Sequence, residues 1–94
     1  MSAFVIGHIR ITDPAAWERY RARVGATIEQ WDGEVVFRGR RALVFAGDPP
    51  ADEVVVIRFS SISAAKRWHD SPEYQALVAL RQAAAHVDLV LYEA

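Results

Sequence analysis

Ser71-Pro72-Glu73 stands between two apolar stretches and writes a helix, a break and a second helix into the segment from Trp68 to Gln82. The Ser hydroxyl can accept from the orphan N–H groups of a first helical turn. Pro suits the first helical position because its missing N–H is not needed there, and Glu adds negative charge at the positive end of the helix dipole. A helix therefore starts at Ser71, and the chain on either side must be arranged around that restart.

Upstream, Phe4 to Ile11 is β-branched and mostly apolar, and it ends at Thr12-Asp13-Pro14, where Thr12 or Asp13 can cap and Pro14 can open a helix. From Pro14 to Trp31 the apolar residues Trp17, Tyr20, Val24, Ile28 and Trp31 recur at spacings of three and four, while Glu18, Arg19, Arg21, Arg23 and Glu29 fall largely elsewhere. This is one buried stripe and one wet face. Asp32-Gly33 breaks the helix. Glu34 to Phe45 then reads as strand, interrupted at Gly39-Arg40-Arg41 by a bulge or tight turn. After the loop Gly47 to Asp52, Glu53 to Phe59 gives the strongest strand of the chain. Ser60 to Ser63 supplies caps for a short helix carrying Ile62, Ala65 and Trp68. The Ser71 restart follows with Tyr74, Leu77, Val78 and Arg81, and Val87 to Tyr92 closes as a strand.

The order β-α-β-β-α-β, in two halves of similar length, predicts an α+β, ferredoxin-like domain over residues 1–94: a four-stranded antiparallel sheet with helices on one face. The first and third strands are expected at its centre as parallel neighbours. Alternation puts Val5, Gly7, Ile9 and Ile11 toward the helices with Val55, Ile57 and Phe59. Phe4, Ile6, His8 and Arg10 then share the other face with Val54, Val56 and Arg58. That second face is too apolar for water. With 52% hydrophobic residues in a 94-residue chain, the surplus points to a homodimer in which two sheets cover one another as a dimeric α/β barrel.

The charges nearly cancel, 11 Lys and Arg against 12 Asp and Glu, so no basic field gathers nucleic acid. The absence of Cys excludes disulfides and thiolate chemistry. No stretch approaches the ~20 apolar residues of a membrane helix, and the N-terminus lacks a signal-peptide pattern. A cytoplasmic protein without membrane partners is expected. His8, His69 and His86 show no metal-ligand spacing, so no metal site is expected either.

Several of these segments carry a resemblance. Phe4-Val5-Ile6, the Ile9-to-Pro14 turn, Arg38-Gly39, Val55-Val56-Ile57 and above all Asp70 to Leu77 with Arg81-Gln82 resemble the bacterial domain-of-unknown-function family 1330 over nearly the whole chain. The resemblance implies the dimeric α/β-barrel superfamily, whose members include cofactor-independent monooxygenases, polyketide cyclases, muconolactone-type isomerases and haem-degrading enzymes. This chain departs from the family pattern at His8, where many members carry Asn, and at Arg40, where a second Gly is common. Trp68 matches a Trp of the haem-degrading relatives, but Val78 falls about where their ligating His is needed, which argues against haem. No cofactor is expected.

Alternation groups His8, Arg10, Arg38 and Arg58 on one sheet face, with Tyr74 and Arg81 on the helix that closes the neighbouring cleft. An imidazole among guanidiniums suits an anionic or enolic ligand. Cofactor-free proton transfer of an isomerase or cyclase type would use His8 or Tyr74 for the proton, with Arg38, Arg58, Arg81 and Trp68 binding substrate. Two other functions fit the same chain: a non-catalytic dimeric binding or accessory module, and a cofactor-independent monooxygenase. The structural alternative for the cluster is that it rims a dimer interface and pairs with Glu34, Glu53 or Asp88. His69 and Asp70 are adjacent on a helix and are expected to face apart. Trp17, Tyr20, Trp31 and Trp68 are most simply core, with a ligand role weighted toward Tyr74 over Tyr20.

Overall fold

The computed structural model describes residues 2–94. Strand β1 (Ala3–Ile11) leads into α1 (Pro14–Glu29), then β2 (Glu34–Arg40) and β3 (Glu53–Phe59). Helices α2 (Ile62–Asp70), α3 (Pro72–Gln75) and α4 (Val78–Ala84) follow, and β4 (Ala85–Glu93) ends the chain. The four strands form one sheet in the order β2-β3-β1-β4, every neighbouring pair antiparallel. This is the ferredoxin-like βαββαβ arrangement.

The caps work as their chemistry demands. Asp13 accepts from the Ala16 N–H at 3.2 Å and Ser61 from the Ala64 N–H at 3.0 Å. Ser71 does more: its hydroxyl accepts from the Tyr74 N–H at 3.2 Å and donates to the Trp68 carbonyl at 2.7 Å, tying the end of α2 to the start of α3. The core lies between helices and sheet, with Val5, Ile9, Val55, Ile57 and Phe59 below, and Trp17, Tyr20, Ile28, Trp68 and Tyr74 above. At Gly33 an added Cβ would lie 2.6 Å from Ile28 Cγ2 and from Phe59 Cε1, so only glycine lets the chain pass this close to the core.

Four expectations are corrected. First, β1 and β3 run antiparallel, with Ala3 opposite Phe59 and Ile9 opposite Glu53. His8 thus faces Val54, while Arg58 faces Phe4, four residues away and ~13 Å along the strand. Second, the irregularity of β2 lies between Val35 and Phe37 rather than at Gly39-Arg40-Arg41. The extra residue flips the parity beyond it, so Phe37 pairs with Val56 on the open face and Arg38 pairs with Val55 on the helix face. Arg38 is therefore not on the face that holds His8. Third, β2 stops at Arg40, and the apolar residues that follow it are outside any strand, with Leu43 69% and Phe45 94% exposed. Fourth, α1 ends at Glu29, two residues before Trp31, through a turn in which Asp32 takes a positive φ of 57°.

The face of the sheet away from the helices carries the half-buried Phe4, Ile6, Val54 and Val56 and the exposed Phe37, Val90 and Tyr92. Among the described residues no helix is long and apolar enough to cross a membrane.

Candidate functional site

Tyr20 lies on the buried stripe of α1, and Tyr74 is held at the third position of α3 by the Ser71 cap. Their hydroxyl oxygens are 3.0 Å apart. Arg81, one helix further on, turns back so that its Nη1 donates to Tyr74 Oη at 2.7 Å, with the guanidinium carbon 6.0 Å from the Tyr74 ring centroid. Trp68 forms the wall beside them. Its ring lies against Tyr74 with centroids 4.4 Å apart, and its indole N–H donates to Thr27 Oγ1 at 3.1 Å, which in turn donates to the Val24 carbonyl at 2.7 Å.

The hydrogen bonds of this chain do not close. Two phenols bring two protons. One proton lies between the two oxygens, and Arg81 occupies a lone pair rather than offering one, so the other hydroxyl proton has no partner in the chain of three groups. A small cavity of about 30 Å³, room for about one water molecule, lies between this chain and the sheet; Tyr20, Trp68, Val55, Ile57 and Arg38 line it. Burial, reinforced by the neighbouring Tyr74, pushes the Tyr20 phenol far up, against the opposing pull of Arg81 and Arg38. Tyr20 therefore holds its proton and is a donor, not a base, at any ordinary pH. Arg38 is pulled down first by burial and then by Arg21, while Glu53 and Tyr20 push the other way. A guanidinium remains charged through such a shift. Among the described residues Arg38 has no ion-pair partner.

The structure thus brings together Tyr74, Arg81 and Trp68, while Arg38 lines the cavity beside Tyr20 and Trp68 from the sheet. Tyr20, weighted below Tyr74 in the sequence, is the centre of the arrangement. Its signal was present: a phenol within a buried helical stripe needs a polar partner. His8 and Arg58 are not part of the cluster. Both are exposed on the open face, where Arg58 pairs with Glu34 at 3.5 Å across the sheet. His69 and Asp70 do meet, Nδ1 to Oδ1 at 3.4 Å, contrary to expectation for adjacent helical residues. His86 lies within β4 and reaches Asp88 at 3.9 Å. Among the described residues no three of His, Cys, Asp and Glu gather as a metal site would require.

Solved structures share this architecture. A protein of unknown function from Rhodopseudomonas palustris is 22% identical with a TM-score of 0.84, over 99% of this chain and 82% of the other. A dimeric ferredoxin-like protein of unknown function from Jannaschia is 12% identical with a TM-score of 0.78, each chain covered in full at 100%. SnoaB, a cofactor-independent oxygenase from Streptomyces nogalater, is 17% identical with a TM-score of 0.72, over 99% of this chain and 92% of its own. These likenesses establish the ferredoxin-like fold. No curated protein matches the sequence. The family model that does match, a domain of unknown function (DUF1330), spans residues 2–94, and the chain belongs to that family.

Proposed function

We propose that the protein is a homodimer that binds a small oxygenated or anionic organic molecule between helices and sheet, with one oxygen of that molecule taking the water-sized space beside Tyr20. The Tyr20 and Tyr74 hydroxyls, Arg81 and Arg38 act as donors, and Trp68 forms the wall. The observation that carries this reading is the hydroxyl proton left over in the Tyr20–Tyr74–Arg81 chain, whose Tyr20 lines a cavity that the Arg38 guanidinium also lines. Such a constellation suits a carbonyl, carboxylate or enolate oxygen. In its catalytic form the chemistry is cofactor-free proton transfer of the isomerase or cyclase kind: the donors draw charge onto a substrate oxygen, and Tyr74 gives its hydroxyl proton to one substrate atom and recovers the proton lost from another, so that the enzyme ends unchanged. His8 and Arg58 fall to the contact between protomers, where the apolar open face is covered by a second copy.

The non-catalytic binding module is the second reading. It is favoured by the cavity's small volume and by its lining, which among the described residues holds no carboxylate or imidazole to serve as a general base. The oxygenase activity of SnoaB reaches this chain only through a shared fold.

A crystal structure of the protein purified directly from its host cells tests the proposal. Density for an organic acid or carbonyl compound, within hydrogen-bonding distance of Tyr20 or Tyr74 and of Arg38, is expected. A cavity holding one water, with Arg38 paired to an acid of its own chain, would overturn it.

A further inference from the structure

A second cavity lies on the other side of Trp68, between α2 and the β1–β4 side of the sheet. Its volume is about 320 Å³, ten times that of the space beside Tyr20 and within the roughly 300–1,000 Å³ typical of small-molecule sites. Val5, Leu89 and Leu91 form its floor, and Ala65 and Trp68 form its wall. Leu89 and Leu91 point to the helix side of β4, yet both remain half-exposed because the helix layer does not extend over this edge.

The rim is polar and asymmetric. Lys66, the only lysine in the chain, lines it together with His69 and Asp70. On a helix the natural partner of Lys66 is Asp70, four residues on. No such pair is formed: the Asp70 carboxylate lies 3.4 Å from His69 Nδ1, and among the described residues Lys66 has no acid within ion-pair distance. His69 therefore occupies the one carboxylate that would neutralise Lys66, leaving a cation at the mouth of an apolar groove.

We infer that this groove binds a small molecule with an apolar body and a single terminal carboxylate, the body on Leu89, Leu91 and Trp68 and the carboxylate on Lys66. Lys66 is the binding residue; His69 is a positioning residue that keeps Asp70 away from it. Trp68 and Leu89 stand between this groove and the cavity beside Tyr20, but Lys66, His69 and Asp70 line only the groove, so the inference does not depend on the role proposed for the Tyr20–Tyr74–Arg81 cluster.

The probes are phenylacetate and its neutral isostere phenylacetamide, titrated into the whole protein while backbone amides are followed by two-dimensional NMR. Phenylacetate is expected to give saturable shifts centred on Ala65, Lys66 and Leu91, and to bind more tightly than the amide. Lys66→Gln should cut phenylacetate affinity about threefold to fivefold, the scale of a partly exposed ion pair, and leave phenylacetamide unaffected. Asp70→Asn should tighten phenylacetate binding, and His69→Ala, which frees Asp70 for Lys66, should weaken it. All three residues are exposed, so the variants retain the fold, as the dispersed spectrum will report. Equal binding of the two probes, shifts centred on Tyr20 and Arg38 instead, or affinity indifferent to Lys66→Gln would overturn the inference.

Discussion

Tyr20 and Tyr74 are separated by 54 residues in sequence, and their hydroxyl oxygens meet at 3.0 Å in the core, joining α1 to α3. The bond sets an order of sensitivity. Tyr74→Phe removes the acceptor of Arg81 and the partner of Tyr20 together, leaving two groups unsatisfied, and should cost about 1–3 kcal/mol. Tyr20→Phe leaves the Arg81–Tyr74 bond in place and should cost less, about 0.5–1.5 kcal/mol. Denaturant unfolding of the two variants checks the ranking; in a domain of this size each kcal/mol lowers Tm by about 4–8 °C.

The same phenol predicts an alkaline weakness. Burial raises the affinity of Tyr20 for its proton in the folded chain, whereas an unfolded tyrosine releases it near pH 10. Below that pH both states hold the proton and the contribution is fully present. Above it the unfolded state releases a proton that the folded state keeps, so stability falls as pH rises, by at most about 1.4 kcal/mol per unit for this group. Tyr20→Phe should flatten the slope above pH ~10 and leave the neutral range without a Tyr20 contribution. Urea midpoints measured across the alkaline range would show it.

Gly33→Ala should be more destabilising than a typical surface change. The added methyl meets Ile28 and Phe59 at 2.6 Å, and Phe59 is fully buried with no room to withdraw. An overpacking cost of about 1–3 kcal/mol is expected. Thermal unfolding of Gly33→Ala beside Gly25→Ala, where the added carbon meets nothing within 4 Å, separates packing from any general effect of losing a glycine.

The proposed dimer rests on the open face. Val90 is 41% exposed there, directly across from Ile6, with Phe37 and Tyr92 on the same face. Sedimentation should find the wild-type chain dimeric, and Val90→Glu should shift it to monomer while α1 and the Ser71 cap on the opposite side stay intact by circular dichroism. A wild-type chain that stays monomeric at every concentration would remove the dimer.

What the sequence made legible is local chemistry. The Ser71 restart, a cap at Thr12 or Asp13, which the structure gives to Asp13, and the stripe through Trp17, Tyr20 and Val24 each follow from side chains within one or two turns of each other. The element order followed from them, and with it the ferredoxin-like fold. The site was less legible because it depends on parity and on partners distant in sequence. A single extra residue near Val36 reverses every following position of β2, which moves Arg38 from the company of His8 to that of Tyr20. The antiparallel run of β1 and β3 separates His8 from Arg58. The Tyr20–Tyr74 bond has no trace in either local segment; only the general rule that a buried phenol finds a partner pointed to it.

The pairing of β4 with β1 brings the first and last strands of the sheet side by side, Ala3 opposite Glu93, with the Ala94 N–H donating to the Ser2 carbonyl at 3.1 Å. For a chain emerging from the ribosome, this is the one of the sheet's three strand pairings whose partners are made furthest apart in time. One edge of β1, a central strand, stays open until the final nine-residue strand has been made. Until β4 has been made, the nascent chain presents β1 as an unpaired edge to whatever strand it meets first.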